Sequence, residues 1–99
     1  MKYALVFATP ARDDLSRLKH DPSLMKRFKA VVKALELLQN NPRYPSLQTH
    51  KFSALSGPAG EDVFEAYAEN NTPGAYRIFF YYGPLRGEMT IVAILPHPK

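Results

Sequence analysis

Between Asp21-Pro22 and Asn40-Asn41-Pro42 the apolar residues Leu24, Phe28, Val31, Leu35 and Leu38 recur at intervals of four, three, four and three. That spacing returns once per helical turn, so one face of a helix is apolar and needs a surface to cover it. Lys26, Lys29, Lys33 and Glu36 fall on the opposite side, where charged groups stay hydrated. Asp21-Pro22 supplies a start signal. Asn40-Asn41 before Pro42 supplies the stop, because Asn tolerates the left-handed turn and proline cannot continue a helix. The rest of the chain must provide the layer that buries this stripe.

A shorter helix precedes it. Thr9 is expected to cap the free amides, Pro10 suits the first helical position, and Asp13 and Asp14 favour the positive end of the dipole. Ala11, Leu15 and Leu18 then form one narrow stripe, running to about His20. The tight turn at Asp21-Pro22 predicts an antiparallel helical hairpin. Upstream, Tyr3 to Ala8 is rich in strand formers and has no helical period, which predicts a first strand.

Three further strands are expected at Val63 to Glu69, Ala75 to Tyr82 and Met89 to Leu95, separated by turns rich in Gly, Pro and Asn. Residues 42–62 hold three prolines and two glycines without a sustained period, and read as a long connection of the kind that is often functional. The order β-α-α-β-β-β predicts one α+β domain over residues 1–99, a helical hairpin on a small, mainly antiparallel sheet. Strand parity puts Phe64, Ala66 and Ala68 on one face and Val63, Glu65, Tyr67 and Glu69 on the other. Tyr76, Ile78, Phe80 and Tyr82 likewise alternate with Arg77, Phe79 and Tyr81, leaving Arg77 flanked by aromatics on the face away from the helices.

Composition narrows the function classes. With 45% hydrophobic residues in 99, the chain can bury one core and not two. It has no cysteine, which removes disulfides, thiolate metal sites and cysteine nucleophiles together. Its three histidines, at 20, 50 and 97, have no ligand spacing, and no glycine-rich phosphate loop is present, so neither a metal nor a cofactor is expected. The opening apolar stretch, Tyr3 to Ala8, is too short for a signal-peptide core or for the roughly 20 apolar residues of a membrane span. This predicts a soluble, cytoplasmic protein without a membrane partner. Charge is uneven: residues 1–43 carry nine basic side chains against four acids, and residues 44–99 carry four against five. The basic field of the first half points to an anionic partner, nucleic acid or an acidic protein segment.

Asn40-Asn41-Pro42, Leu47-Gln48-Thr49-His50-Lys51, Ala75-Tyr76-Arg77-Ile78-Phe79-Phe80-Tyr81 and Ile91-Val92-Ala93-Ile94-Leu95-Pro96-His97, in this order of elements, resemble the RelE/ParE superfamily of type II toxin–antitoxin toxins. The resemblance implies a toxin held by a cognate antitoxin, whose disordered segment folds across it as a helix or strand. RelE-like members cut messenger RNA, usually in the ribosomal A site, without a metal, by driving the ribose 2′-OH onto the adjacent phosphate. ParE-like members share the fold and inhibit DNA gyrase. A third possibility is a toxin-fold protein that has lost catalysis and serves as a binding partner.

Carried onto this sequence, the resemblance implies that Arg77 sits against the scissile phosphate, where a guanidinium can donate two parallel hydrogen bonds. The alternative for Arg77 is an ion pair with Glu65 or Glu88 across neighbouring strands. His97, after the last strand, is the candidate general acid. Glu65 or His97 would take the 2′-OH proton, and His97 or Tyr67 would protonate the leaving oxygen. Glu65 and Tyr67 lie on the strand where RelE carries two lysines. Tyr67 and Tyr81 are candidates for base stacking, and His50, Lys51 and Lys99 for contacts with RNA.

Overall fold

The computed structural model describes residues 2–98. β1 (Ala4–Phe7) leads into α1 (Thr9–His20), a 3-10 turn at Pro22–Leu24 and α2 (Met25–Asn40). A second 3-10 turn at Pro45–Leu47 precedes β2 (His50–Ser56), β3 (Asp62–Tyr67), β4 (Tyr76–Tyr82) and β5 (Glu88–Pro96). The sheet has the order β1-β5-β4-β3-β2. β1 runs parallel to β5, with Ala4 opposite Glu88 and Phe7 opposite Ile91, and the other neighbours are antiparallel. Two helices on a five-stranded mixed sheet make this an α+β fold, as the pattern of elements predicts.

The helical hairpin covers the face that strand parity assigns to it. Leu18 of α1 and Val31, Leu35 and Leu38 of α2 meet Ala66, Ile78, Phe80, Met89, Ile91 and Ile94 in the main core. On the far face a smaller cluster of Val63, Phe79 and Tyr81 is closed by Phe52, Val92 and Ala93. Phe52 comes from β2 and rests edge-on against Phe79, with ring centroids 5.0 Å apart. The two apolar faces of a single sheet are thus buried by different means, one by helices and the other by side chains of the sheet itself, Phe52 of β2 and Val92 and Ala93 of β5.

Four expectations are corrected. Residues 42–62 are not an unstructured connection, because β2 pairs with β3 through His50 opposite Glu65, Lys51 opposite Phe64 and Ser56 opposite Asp62. The sheet therefore has one strand more than the sequence pattern predicts. Thr9 is not a cap: helix α1 begins at Thr9 itself, after Ala8, with no side-chain hydrogen bond at its start. Asp14 lies beyond the first turn and has a different partner, accepting from the Ile94 amide at 3.0 Å. Asn41 is extended, with φ −159°, and its side chain accepts from the Arg43 amide at 3.0 Å. The stop is therefore made by a polar turn instead of a left-handed residue.

Candidate functional site: a carboxylate held between His50 and Arg77

Arg77 stands opposite Tyr67 in the β3–β4 register, and Glu65 stands opposite both Phe79 of β4 and His50 of β2. This register places His50, Glu65, Tyr67 and Arg77 on one patch of the face away from the helices. Glu65 lies at its centre, only 4% exposed. Its Oε2 accepts from Arg77 Nη1 at 2.6 Å, and its Oε1 lies 2.6 Å from His50 Nε2. A buried carboxylate is costly without partners, and here each oxygen has one. The cross-strand ion pair weighed for Arg77 thus forms with Glu65. Glu88 instead accepts from the Leu85 amide in the turn before β5.

The rest of the Arg77 guanidinium is less committed. Nη2 reaches the Pro96 carbonyl only at 3.5 Å, and Nε is buried without a hydrogen-bond partner. The plane of the group lies over Phe79, 4.9 Å from the ring centroid, a contact that favours a fixed orientation. Because Nη1 lies on the Cδ side of the guanidinium, Nε and Nη2 together form its second donating edge. That edge is the fork that matches two oxygens of a phosphate or carboxylate.

A cleft of about 570 Å³ opens beside this patch, lined by Tyr67, Tyr76, Arg77, His97 and Pro98, with Gln48 and the segment 69–75 forming its rim. His97 is fixed there by its backbone: its amide donates to the Ala75 carbonyl at 2.7 Å. Its Nδ1 lies 2.7 Å from the Pro98 carbonyl oxygen, which can only accept. Nδ1 therefore carries a proton, and in the neutral ring the lone pair sits on Nε2. Tyr67 stands between two imidazoles, edge-on to His97 at 6.1 Å and to His50 at 5.9 Å.

Five of the residues singled out in the sequence, His50, Glu65, Tyr67, Arg77 and His97, come together in this way. Others do not. Tyr81 is 6% exposed and packs with Val63 and Phe79, so protein neighbours already occupy its ring. Lys51 pairs with Asp62 at 3.3 Å and, opposite Phe64, points to the other face from His50. Glu69 does not share the Glu65 face, since β3 ends at Tyr67. Glu69 turns to α2 and pairs with Arg27 at 3.2 Å. Lys99 lies outside the described residues. Gln48, which lies in the segment Leu47–Lys51 but to which the sequence assigns no role, links the cleft rim to β2: it adopts a left-handed conformation at φ 46°, donates to Asn70 Oδ1 at 2.7 Å and offers its carbonyl to His50 at 2.8 Å.

No sequence-family profile matches the chain, and no curated protein matches it in sequence. Solved structures do match in three dimensions. The archaeal RelE of a RelE–RelB complex from Pyrococcus horikoshii OT3 aligns with a TM-score of 0.64 at 15% identity, over 97% of this chain and 96% of that one. A YoeB/ParE toxin from Agrobacterium tumefaciens aligns with a TM-score of 0.68 at 12% identity, over 99% and 100%. The toxin–antitoxin complex RelBE2 from Mycobacterium tuberculosis aligns with a TM-score of 0.51 at 19% identity, over 98% and 100%. At such identities the likeness is one of architecture, and it spans essentially the whole chain: two helices on this five-stranded mixed sheet are the RelE/ParE toxin fold.

Proposed function

We propose that the chain is the toxin of a toxin–antitoxin module and a metal-independent endoribonuclease acting on messenger RNA at the ribosome. The observation that carries this reading is the Nε/Nη2 edge of Arg77, left without a strong partner beside a cleft that also holds Tyr67 and His97. Nη2, whose one contact is the Pro96 carbonyl at 3.5 Å, is the donor that a phosphate oxygen in the cleft would take. In the proposed reaction the 2′-OH oxygen attacks phosphorus and the bond from phosphorus to the 5′-oxygen breaks, leaving a cyclic phosphate. His97 Nε2 takes the 2′-OH proton, the Tyr67 hydroxyl gives one to the departing oxygen, and Arg77 balances the charge that develops on the phosphoryl oxygens. Glu65, with both oxygens engaged, holds Arg77 and is not the base. The structures of RelE–RelB and RelBE2 are of toxin–antitoxin complexes, and a cognate antitoxin is the partner carried over to this chain.

The basic first half of the chain favours a second reading, a toxin that acts by binding DNA gyrase. Induced expression of the wild type and of Arg77→Lys separates them, with growth followed and RNA ends mapped soon after induction. Lysine keeps a cation for Glu65 and deletes the fork. New cuts at in-frame positions, lost in Arg77→Lys, are the expected outcome. Growth arrest without cuts, together with loss of supercoiling by purified gyrase, would replace the nuclease by the gyrase reading.

A further inference from the structure

His50 is used by neither the acid, the base nor the phosphate contact, yet it is one of the most constrained side chains on the sheet face. Its Nδ1 lies 2.8 Å from the Gln48 carbonyl and its Nε2 lies 2.6 Å from Glu65 Oε1. Both of these partners, a carbonyl and a carboxylate, are acceptors. The Gln48 carbonyl is itself held by the left-handed turn at that residue and by the Gln48–Asn70 hydrogen bond. A continuous chain therefore runs from the turn before β2, through His50 and Glu65, to Nη1 of Arg77.

The consequence lies in how Glu65 divides its oxygens. A free carboxylate beside a guanidinium settles into the two-bond, fork-to-fork arrangement, which would engage a second guanidinium nitrogen of Arg77. Here Oε1 is drawn away by His50, so Glu65 holds Arg77 by a single bond through Nη1. We propose that His50 is a positioning residue: by taking one oxygen of Glu65 it keeps that carboxylate off Nη2 of Arg77, whose one contact is the Pro96 carbonyl at 3.5 Å, and so leaves Nη2 to an oxyanion of the substrate in the cleft that Arg77 lines. This inference rests on the nuclease reading for its purpose, but the coupling from His50 to Arg77 is a property of the fold and is measurable without RNA.

The test uses the purified full chain as wild type, His50→Ala and His50→Gln, with folding checked by circular dichroism. Two quantities are read: turnover on ribosome-bound message, and the side-chain Nε–H resonance of Arg77 by nuclear magnetic resonance. Glutamine places an amide donor near the position of Nε2 and so keeps the bond to Glu65. His50→Ala is expected to shift the Arg77 resonance and to lower kcat by about 10²-fold, the scale of a displaced catalytic group, while His50→Gln restores most of both. A loss of kcat with the Arg77 resonance unmoved would overturn the proposal, because His50 would then act on RNA directly. An unmoved resonance with unchanged kcat would overturn it as well. Should the wild type cut no RNA, the nuclease reading fails, and the resonance decides the coupling alone.

Discussion

Glu65 is the residue on which the site depends. Removing Arg77 by Arg77→Ala leaves a carboxylate at 4% exposure with His50 as its remaining partner, and breaking a buried pair in this way is expected to lower stability by about 3–5 kcal/mol. Arg77→Lys should cost less in the same urea titration, so a stability loss that is equal in the two variants would show that the guanidinium shape, and not the charge, is what Glu65 needs. Tyr82 makes a second prediction. It packs against Tyr3, Phe64 and Phe80, and desolvation, followed by the nearby Tyr3 phenol, raises its pKa above the ordinary 10.0, with Arg43 opposing. The folded chain thus holds the phenolic proton more tightly than the unfolded one. The stabilising contribution is present below pH 10.0 and is lost as pH rises through the higher, folded value. Tyr82→Phe should flatten that alkaline decline in a series of melting curves, and an unchanged decline would assign it elsewhere.

At the scale of elements, a carboxylate ties helix α1 to the sheet in addition to the apolar contacts of Ala11 and Leu18. β1 pairs with β5 only as far as Phe7 opposite Ile91, so beyond it the outer edge of β5 presents unpaired amides. Asp14, 8% exposed, accepts from the Ile94 amide at 3.0 Å and is steadied by Arg17 at 3.2 Å. Asp14→Ala leaves that amide buried and unpaired, and should destabilise the fold by about 1–3 kcal/mol in denaturant unfolding. Asp14→Asn, which retains an accepting oxygen, should recover most of the loss. In the sequence Asp14 looks like an ordinary dipole partner on a helix. Its role in the fold depends on the Ile94 amide, 80 residues further along the chain, which lies past the point where β1 stops pairing with β5.

Across the whole molecule the order β1-β5-β4-β3-β2 sets a gradient of protection. β4 and β5 are central, β4 is buried from Ile78 through Tyr81, and Ile78, Phe80, Ile91 and Ile94 lie at 0–1% exposure. β2 is an edge strand, exposed at all but Phe52, and its register with β3 is irregular between Lys51 and Ser56. Amide hydrogen exchange should therefore be slowest in β4 and the first half of β5 and fastest in residues 53–55, because local opening there breaks few contacts. Equal protection across the sheet would mean that β2 is held by something more than its pairing with β3.

The sequence by itself determined the elements that announce themselves locally. Both helices bury one stripe against the sheet, and that demand writes a period of 3.6 residues into the chain. The strands β3, β4 and β5, buried on both faces at Val63, Ile78, Phe79, Phe80 and Tyr81, are legible as runs of strand formers between turn residues. It also determined the face on which Arg77, Glu65 and Tyr67 stand, since parity follows from strand geometry alone. Tertiary structure decided β2 and everything that depends on it. His50-Lys51-Phe52-Ser53-Ala54-Leu55-Ser56 pairs with a single neighbouring strand, is asked to bury little more than Phe52, and so carries no alternation to read. The contact between His50 and Glu65 and the division of the carboxylate between His50 and Arg77 both arise from one pairing register across the Gly57–Glu61 turn. Such a register is a choice among long-range pairings, made by packing on both sides of the sheet, and leaves no local trace in the residues that it brings together.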